Sequence, residues 1–164
     1  EYFDEVDMDE LIDPEQIKRQ NVDEVIKCFY DENQTIINNA ISFISSYVYM
    51  GNESAYEGLI NYYMGLGPAE SLEDGYLRIK IVEILSSKES EKKTIDAYVN
   101  ELYRTPSNNT TRKLYTKILE RLSRCPEEMV REPLLELLNK KKYSYKIKNR
   151  IIDVANIIET GRWW

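Results

Sequence analysis

The stretch EPLLELLNKKKYSYKIKNRIIDVANII, which runs from Glu132 to Ile158, decides the fold that the sequence predicts. Apolar residues recur in it at intervals of three and four on both sides of a basic turn. This spacing indicates two amphipathic helices, because strands would alternate apolar and polar residues. The apolar stripes are wide, so an isolated helical pair would leave apolar surface in water. We therefore expect neighbouring pairs to stack on it.

The same helical period continues through the rest of the chain. Breaks at Gly51-Asn52, at residues 65–68 and at residues 105–108 separate the stripes, and the connections are short. The sequence therefore predicts eight helices, with apolar stripes over residues 22–29, 36–48, 59–64, 77–85, 95–102, 114–122, 134–138 and 147–158.

A repeat emerges when the second half of the opening stretch, IKNRIIDVANII from Ile147, is compared with the chain upstream. Similar segments begin at Ile36, Leu77 and Thr111, so the four anchors are 41, 34 and 36 residues apart. Each of these helices follows a partner helix, as in VDEVIKCFYD and IDAYVNELY. A unit of two helices repeated four times at this spacing is typical of helical solenoids.

These residues resemble HEAT repeats over about residues 22–158. In that family an Asp closes the first helix of a pair and an Arg opens the second, and the two form a ladder between units. Asp31, Arg78, Arg112 and Lys148 match this pattern, whereas Ile37 does not. The resemblance implies an all-α fold, a right-handed α-α superhelix of about four HEAT-like helical hairpins. An irregular helical bundle remains the alternative.

The formal net charge of −7 is spread unevenly along the chain. Residues 1–16 carry eight acids and no Lys or Arg, and residues 104–164 carry seven acids and fourteen bases. We therefore expect an acidic N-terminal arm at 1–16, a repeat domain at 17–160 and a C-terminal tryptophan tail at 161–164. The opposite charges of the two end segments also permit head-to-tail self-association.

Composition disfavours several functional classes. The chain has no His, which removes the commonest general base and transition-metal ligand, and no phosphate-binding loop is found. Acid pairs such as Glu127-Glu128 fall at predicted helix starts, where capping explains them. We therefore expect no enzyme activity, no cofactor and no metal. No apolar run approaches the roughly 20 residues of a membrane span. Cys28 and Cys125 are interpreted as buried free thiols of a reducing, cytoplasmic compartment.

The most distinctive candidate for binding is the basic turn of the opening stretch, residues 140–146. Basic residues interleaved with aromatics can hold phosphates and stack bases, although a solvated turn is the simpler interpretation. The two C-terminal tryptophans either cap the last repeat or contact a partner. The candidate partner-binding residues are Lys140, Lys141, Lys142, Tyr143, Tyr145, Lys146, Trp163 and Trp164.

HEAT-repeat proteins are scaffolds and adaptors, so the resemblance implies a non-catalytic protein–protein interaction module whose partner is another protein. Three alternative functions stay open. The first is an acidic, immunity-type inhibitor of a basic partner, and the second is a protein that binds nucleic acid through its basic C-terminal hairpin. The third is an accessory subunit of a lyase-type enzyme.

Overall fold

A computed structural model describes the backbone of residues 19–160 and the side chains of residues 21–155. No strand occurs among residues 19–160, which confirms the all-α prediction. The eight predicted helices are all present. In chain order they are α1 (Arg19–Lys27), α2 (Gln34–Tyr49), α3 (Glu53–Met64), α4 (Leu72–Leu85), α5 (Lys92–Arg104), α6 (Arg112–Leu122), α7 (Glu127–Lys140) and α8 (Tyr145–Thr160).

Side-chain caps fix the starts of three successive helices. The side chain of Asn33 accepts a hydrogen bond from the Thr35 amide before α2, and Asn52 accepts one from the Ala55 amide before α3. Ser71 does the same before α4. These caps satisfy amides that have no partner inside the helix, so each chain break in the sequence becomes a defined helix start.

Helix α7 starts at the acid pair that the sequence analysis placed at a helix start, and it contains a proline. The helix begins at Glu127, and Pro133 lies inside it. Pro133 has no amide hydrogen to donate to the carbonyl of Met129, one turn earlier. Glu127 and Glu128 occupy the first turn, as predicted, where their charges complement the helix dipole.

The chain divides into two compact units between Gly65 and Leu66. In the first unit α1, α2 and α3 contact one another. Gly58 on α3 allows the close approach of α1, because a Cβ atom there would lie 2.3 Å from Cδ1 of Ile26. The rings of Phe29 and Tyr62 pack with their centroids 5.3 Å apart in the same unit.

The second unit contains α4 to α8. Here α4 contacts α6 and α6 contacts α8, while α5 contacts α7. The sequence neighbours α5 and α6, and α7 and α8, also contact each other. Helices in this unit therefore lie in two rows, one of α4, α6 and α8 and the other of α5 and α7.

Tyrosine contributes heavily to the packing of both units. Tyr63, Tyr98 and Tyr115 are among the largest fully buried side chains. Tyr49 and Tyr103 are exposed although they lie beside apolar stripes. Among the described residues, no helix combines the length and the apolar character that crossing a membrane requires.

The two cysteines are free thiols, as the sequence interpretation held, but they differ in accessibility. Cys125 is buried, and its burial raises the pKa of the thiol to about 12. Cys28 is only partly buried, and its pKa is raised first by burial and then by Asp31 and Glu24. Both thiols therefore carry little of the reactive thiolate near neutral pH.

We expect Cys28 to react slowly with dithionitrobenzoate in the folded protein and Cys125 to react only after unfolding, because the reagent must reach a thiolate. Absorbance of the released thiol measures the rate. The single variants Cys125→Ala and Cys28→Ala isolate each thiol in turn. Fast reaction of Cys125 in the native protein would contradict the assignment.

Candidate binding surface at the α7–α8 turn

The basic turn lies between α7 and α8 in the second unit. It forms one side of an open cleft of about 540 Å³. The cleft is lined by Leu138, Asn139, Lys140, Lys141, Lys142, Tyr143 and Lys148. Four of its seven lining residues are lysines, so the structure brings most of the predicted basic residues together.

Lys141 is committed to an internal contact. Its Nζ lies 2.8 Å from the carbonyl oxygen of Leu102, 2.9 Å from that of Tyr103 and 2.7 Å from that of Thr105. These carbonyls end α5, where no amide of the helix is left to bond them. An ammonium group has three hydrogens, so Lys141 caps the helix with all of its donors. Burial lowers its pKa.

Tyr143 contacts the same end of α5 as Lys141 does. Its hydroxyl donates to the carbonyl of Leu102, and its ring packs edge-on against Tyr115 with centroids 6.0 Å apart. The ammonium of Lys141 lies 5.0 Å from the centre of the Tyr143 ring. Tyr115 is buried, and its hydroxyl oxygen lies 2.6 Å from the Thr105 carbonyl oxygen. Lys141, Tyr143 and Tyr115 thus hold the turn against the end of α5, and we call these three residues the turn anchor.

The other candidates in the turn face solvent. Lys140, Lys142 and Lys146 are exposed, and Tyr145 is 81% exposed. Lys148, one turn into α8, is exposed as well. Trp163 and Trp164 lie outside the described residues.

The turn anchor predicts a fall in stability at alkaline pH. Burial raises the pKa of Tyr143 to about 12 from its ordinary 10.0, and it raises that of Tyr115 as well. Above pH 10 the unfolded chain loses tyrosine protons that the folded chain keeps, so the free energy of unfolding declines as the pH rises. The lowered pKa of Lys141 acts in the opposite sense, adding stability as the pH rises through the range just below 10.5.

Urea unfolding at pH values between the ordinary tyrosine pKa of 10.0 and about 12 measures this decline. Tyr143→Phe removes one of the groups responsible, so we expect a shallower decline than in the native chain. Tyr30→Phe, at a residue 63% exposed, is the matched control and leaves the decline unchanged. Equal effects of the two substitutions would exclude the turn anchor as the cause.

A second polar cluster lies buried in the same unit. The carboxylate of Glu101, whose residue is 1% exposed, lies 3.0 Å from Nη1 of Arg78 and 2.7 Å from Nη2 of Arg104. It also accepts a hydrogen bond from the Thr105 hydroxyl. The two arginines donate to the carbonyls of Gly67 and Leu66, and the Ala69 amide donates to Thr105. The cluster therefore fixes the loop before α4 and is structural.

Glu89, which lies two residues before Glu91 in the sequence, also has a structural role. Arg121 donates to both of its carboxylate oxygens, at 2.7 and 2.8 Å, and the Tyr98 hydroxyl donates at 2.7 Å. Among the described residues no group of three or more His, Cys, Asp or Glu side chains is placed to hold a metal ion. In the cleft, by contrast, the exposed charged side chains are all lysines.

The sequence interpretation missed Glu101 and did not separate Lys141 and Tyr143 from their neighbours. The sequence does carry a signal for Glu101, because Thr94, Ala97, Glu101 and Thr105 follow helical spacing. The structure shows that this face of the helix is buried. Nothing in the run of three lysines marks Lys141, since only the approach of α5 distinguishes it. Comparison of the chain with protein-family models, curated proteins and solved structures found no match.

Proposed function

We propose that the chain is a non-catalytic protein-binding module built of HEAT-like helical pairs, and that it contacts its partner with the surface around the α7–α8 turn. The observation that carries the proposal is the group of exposed side chains Lys140, Lys142, Tyr145 and Lys146 in the turn, the first two of which line the cleft. The turn anchor holds the backbone of the turn against α5, and none of these four side chains takes part in its contacts. Exposed Tyr offers a large amphipathic contact, and the lysines beside it add a positive potential that can attract an acidic partner.

Two further observations support the HEAT-like character. The two rows of helices in the second unit follow the alternation of first and second helices that stacked helical pairs produce. Arg78 on α4 is paired with Glu101 on α5, which belongs to the next helical pair of the predicted repeat. In the HEAT resemblance, an Arg that opens a second helix makes this kind of bond between units.

A cationic surface favours an anionic partner, which bears on the alternatives. Nucleic acid is the second candidate, because Lys142 and Lys146 flank the exposed Tyr145. Neutralisation of a basic protein would instead use the acidic residues 1–16, which lie outside the described residues. Head-to-tail self-association would show in light scattering as a mass that falls as salt is added, because salt screens charge attraction.

The test is affinity capture from the cells that naturally express the chain, followed by reconstitution. We expect one protein to be retained by the native chain and lost by the variant K140E/K142E/Y145A/K146E. Calorimetry with that protein, purified, should then give a defined stoichiometry. Variant K92E/K93E/K113E carries a similar charge change at exposed positions away from the turn and retains the protein. Loss of the partner with both variants, or with neither, would overturn the proposal.

A further inference from the structure

We propose that the cleft between α7 and α8 binds an extended peptide segment rich in Asp and Glu, supplied by the partner protein. This inference rests on the proposed function, because it names the chemistry of the partner at the same surface. Three observations carry it: the cleft lysines that have no carboxylate partner among the described residues, the contacts of the Tyr143 ring and the net charge of the chain.

The lysines of the cleft fall into two groups. Lys141 has its three donors on the carbonyls that end α5, so it contributes positive potential but no free hydrogen bond. Lys140, Lys142 and Lys148 have no carboxylate within ion-pair distance among the described residues. Ammonium groups around one concave surface, with no counter-ion on the part of the chain that the structure describes, attract negative charge.

Separate lysines suit several carboxylates better than one dense anion. Each ammonium is a compact charge on a flexible stem, and it lacks the planar fork with which Arg grips a single phosphate or carboxylate. In an extended peptide the side chains that face one side recur at every second residue, at about 6.6–6.8 Å. A cleft of about 540 Å³ falls within the range of small-ligand sites, so it has room for a few such side chains.

Tyr143 argues against nucleic acid as the ligand of the cleft. Stacking of a base needs a free aromatic face. The ring of Tyr143 is held by the edge contact with Tyr115, by the nearby ammonium of Lys141 and by the bond of its hydroxyl to Leu102. Tyr145 is exposed but does not line the cleft. The net charge of −7 also repels a long polyanion more strongly than a short peptide.

The test uses the full chain and a fluorescein-labelled peptide of alternating Asp and Glu. The peptide has about eight residues, each of which extends it by roughly 3.3 Å. Fluorescence anisotropy should show saturable binding that weakens as salt is added. We expect the variant K140E/K142E/K148E to bind roughly tenfold more weakly or worse, and the corresponding Gln variant to show a smaller loss. Variant K92E/K93E/K113E, whose changed residues do not line the cleft, binds as the native chain does.

All the changed residues are exposed, so we expect each variant to fold. Circular dichroism of each variant checks this. Failure of the acidic peptide to bind overturns the inference, and so does any one of three further outcomes. The matching peptide of Asn and Gln binds equally well, the cleft variant binds the acidic peptide unchanged, or a single-stranded oligouridine binds more tightly with the same dependence on Lys140, Lys142 and Lys148. If the peptide fails to bind while affinity capture still yields a partner, the inference is wrong and the proposed function stands.

Discussion

Replacing Glu101 with alanine is expected to lower the free energy of unfolding by about 3–5 kcal/mol. The carboxylate is almost wholly buried, and it holds Arg78 from α4 and Arg104 from α5. Without it the two guanidinium groups lose the buried carboxylate that they share. The loop of Leu66 and Gly67, which these arginines hold, loosens at the same time.

Equilibrium unfolding in urea measures the loss. Glu120→Ala is the matched control: the side chain is 49% exposed and pairs with Lys117 and Arg124 at the surface, so we expect a change of about 1 kcal/mol at most. If Glu101→Ala unfolds the chain, the free energy of unfolding is measured on Glu101→Gln instead. This substitution is milder because it keeps the shape of the side chain and part of its hydrogen bonding. A Glu101 variant as stable as the Glu120 control would show that the cluster does not contribute as described.

Replacing Lys141 with methionine is expected to cost about 2–3 kcal/mol. Methionine keeps the aliphatic stem but leaves the carbonyls of Leu102, Tyr103 and Thr105 without the charged donor that caps them. Tyr143 loses the ammonium beside its ring as well. The end of α5 and the turn should loosen together, because the turn anchor joins them.

Lys142→Met is the comparison, since Lys142 follows directly in the chain and is exposed. We expect it to change the free energy of unfolding by no more than about 0.5 kcal/mol. Hydrogen exchange adds a local readout: amides at the end of α5 should lose protection in the Lys141 variant alone. Equal stability of the two variants would show that Lys141 is a surface lysine like its neighbours.

The helices were predictable because their cause is local. Apolar residues such as Ile95, Tyr98 and Leu102 recur with the helical period, and breaks such as residues 65–68 separate the stripes. The start of α7 was marked as well, by the acid pair Glu127-Glu128, but the place of Pro133 inside the helix was not, because Pro normally stands at a helix start. The apolar residues on both sides of Pro133, Val130 and Leu134, are buried, and their packing outweighs the missing hydrogen bond.

The candidate site was predictable as a composition but not as an arrangement. Lys140, Lys141 and Lys142 are equivalent in sequence, and their different roles depend on contacts with residues about 36–39 positions away. Glu101 was hidden for the opposite reason. Acids are usually exposed, so its place on a buried face becomes meaningful only when Arg78 approaches from another helix.

The turn anchor has a kinetic consequence. A loop that must first be ordered slows association and weakens the complex, whereas this turn is already fixed by Lys141 and Tyr143 in the free chain. Binding of the proposed acidic peptide would then be an encounter with a preorganised, positively charged surface. Removing Lys140, Lys142 or Lys148 should therefore reduce the association rate more than it speeds dissociation, in the manner of electrostatically steered complexes.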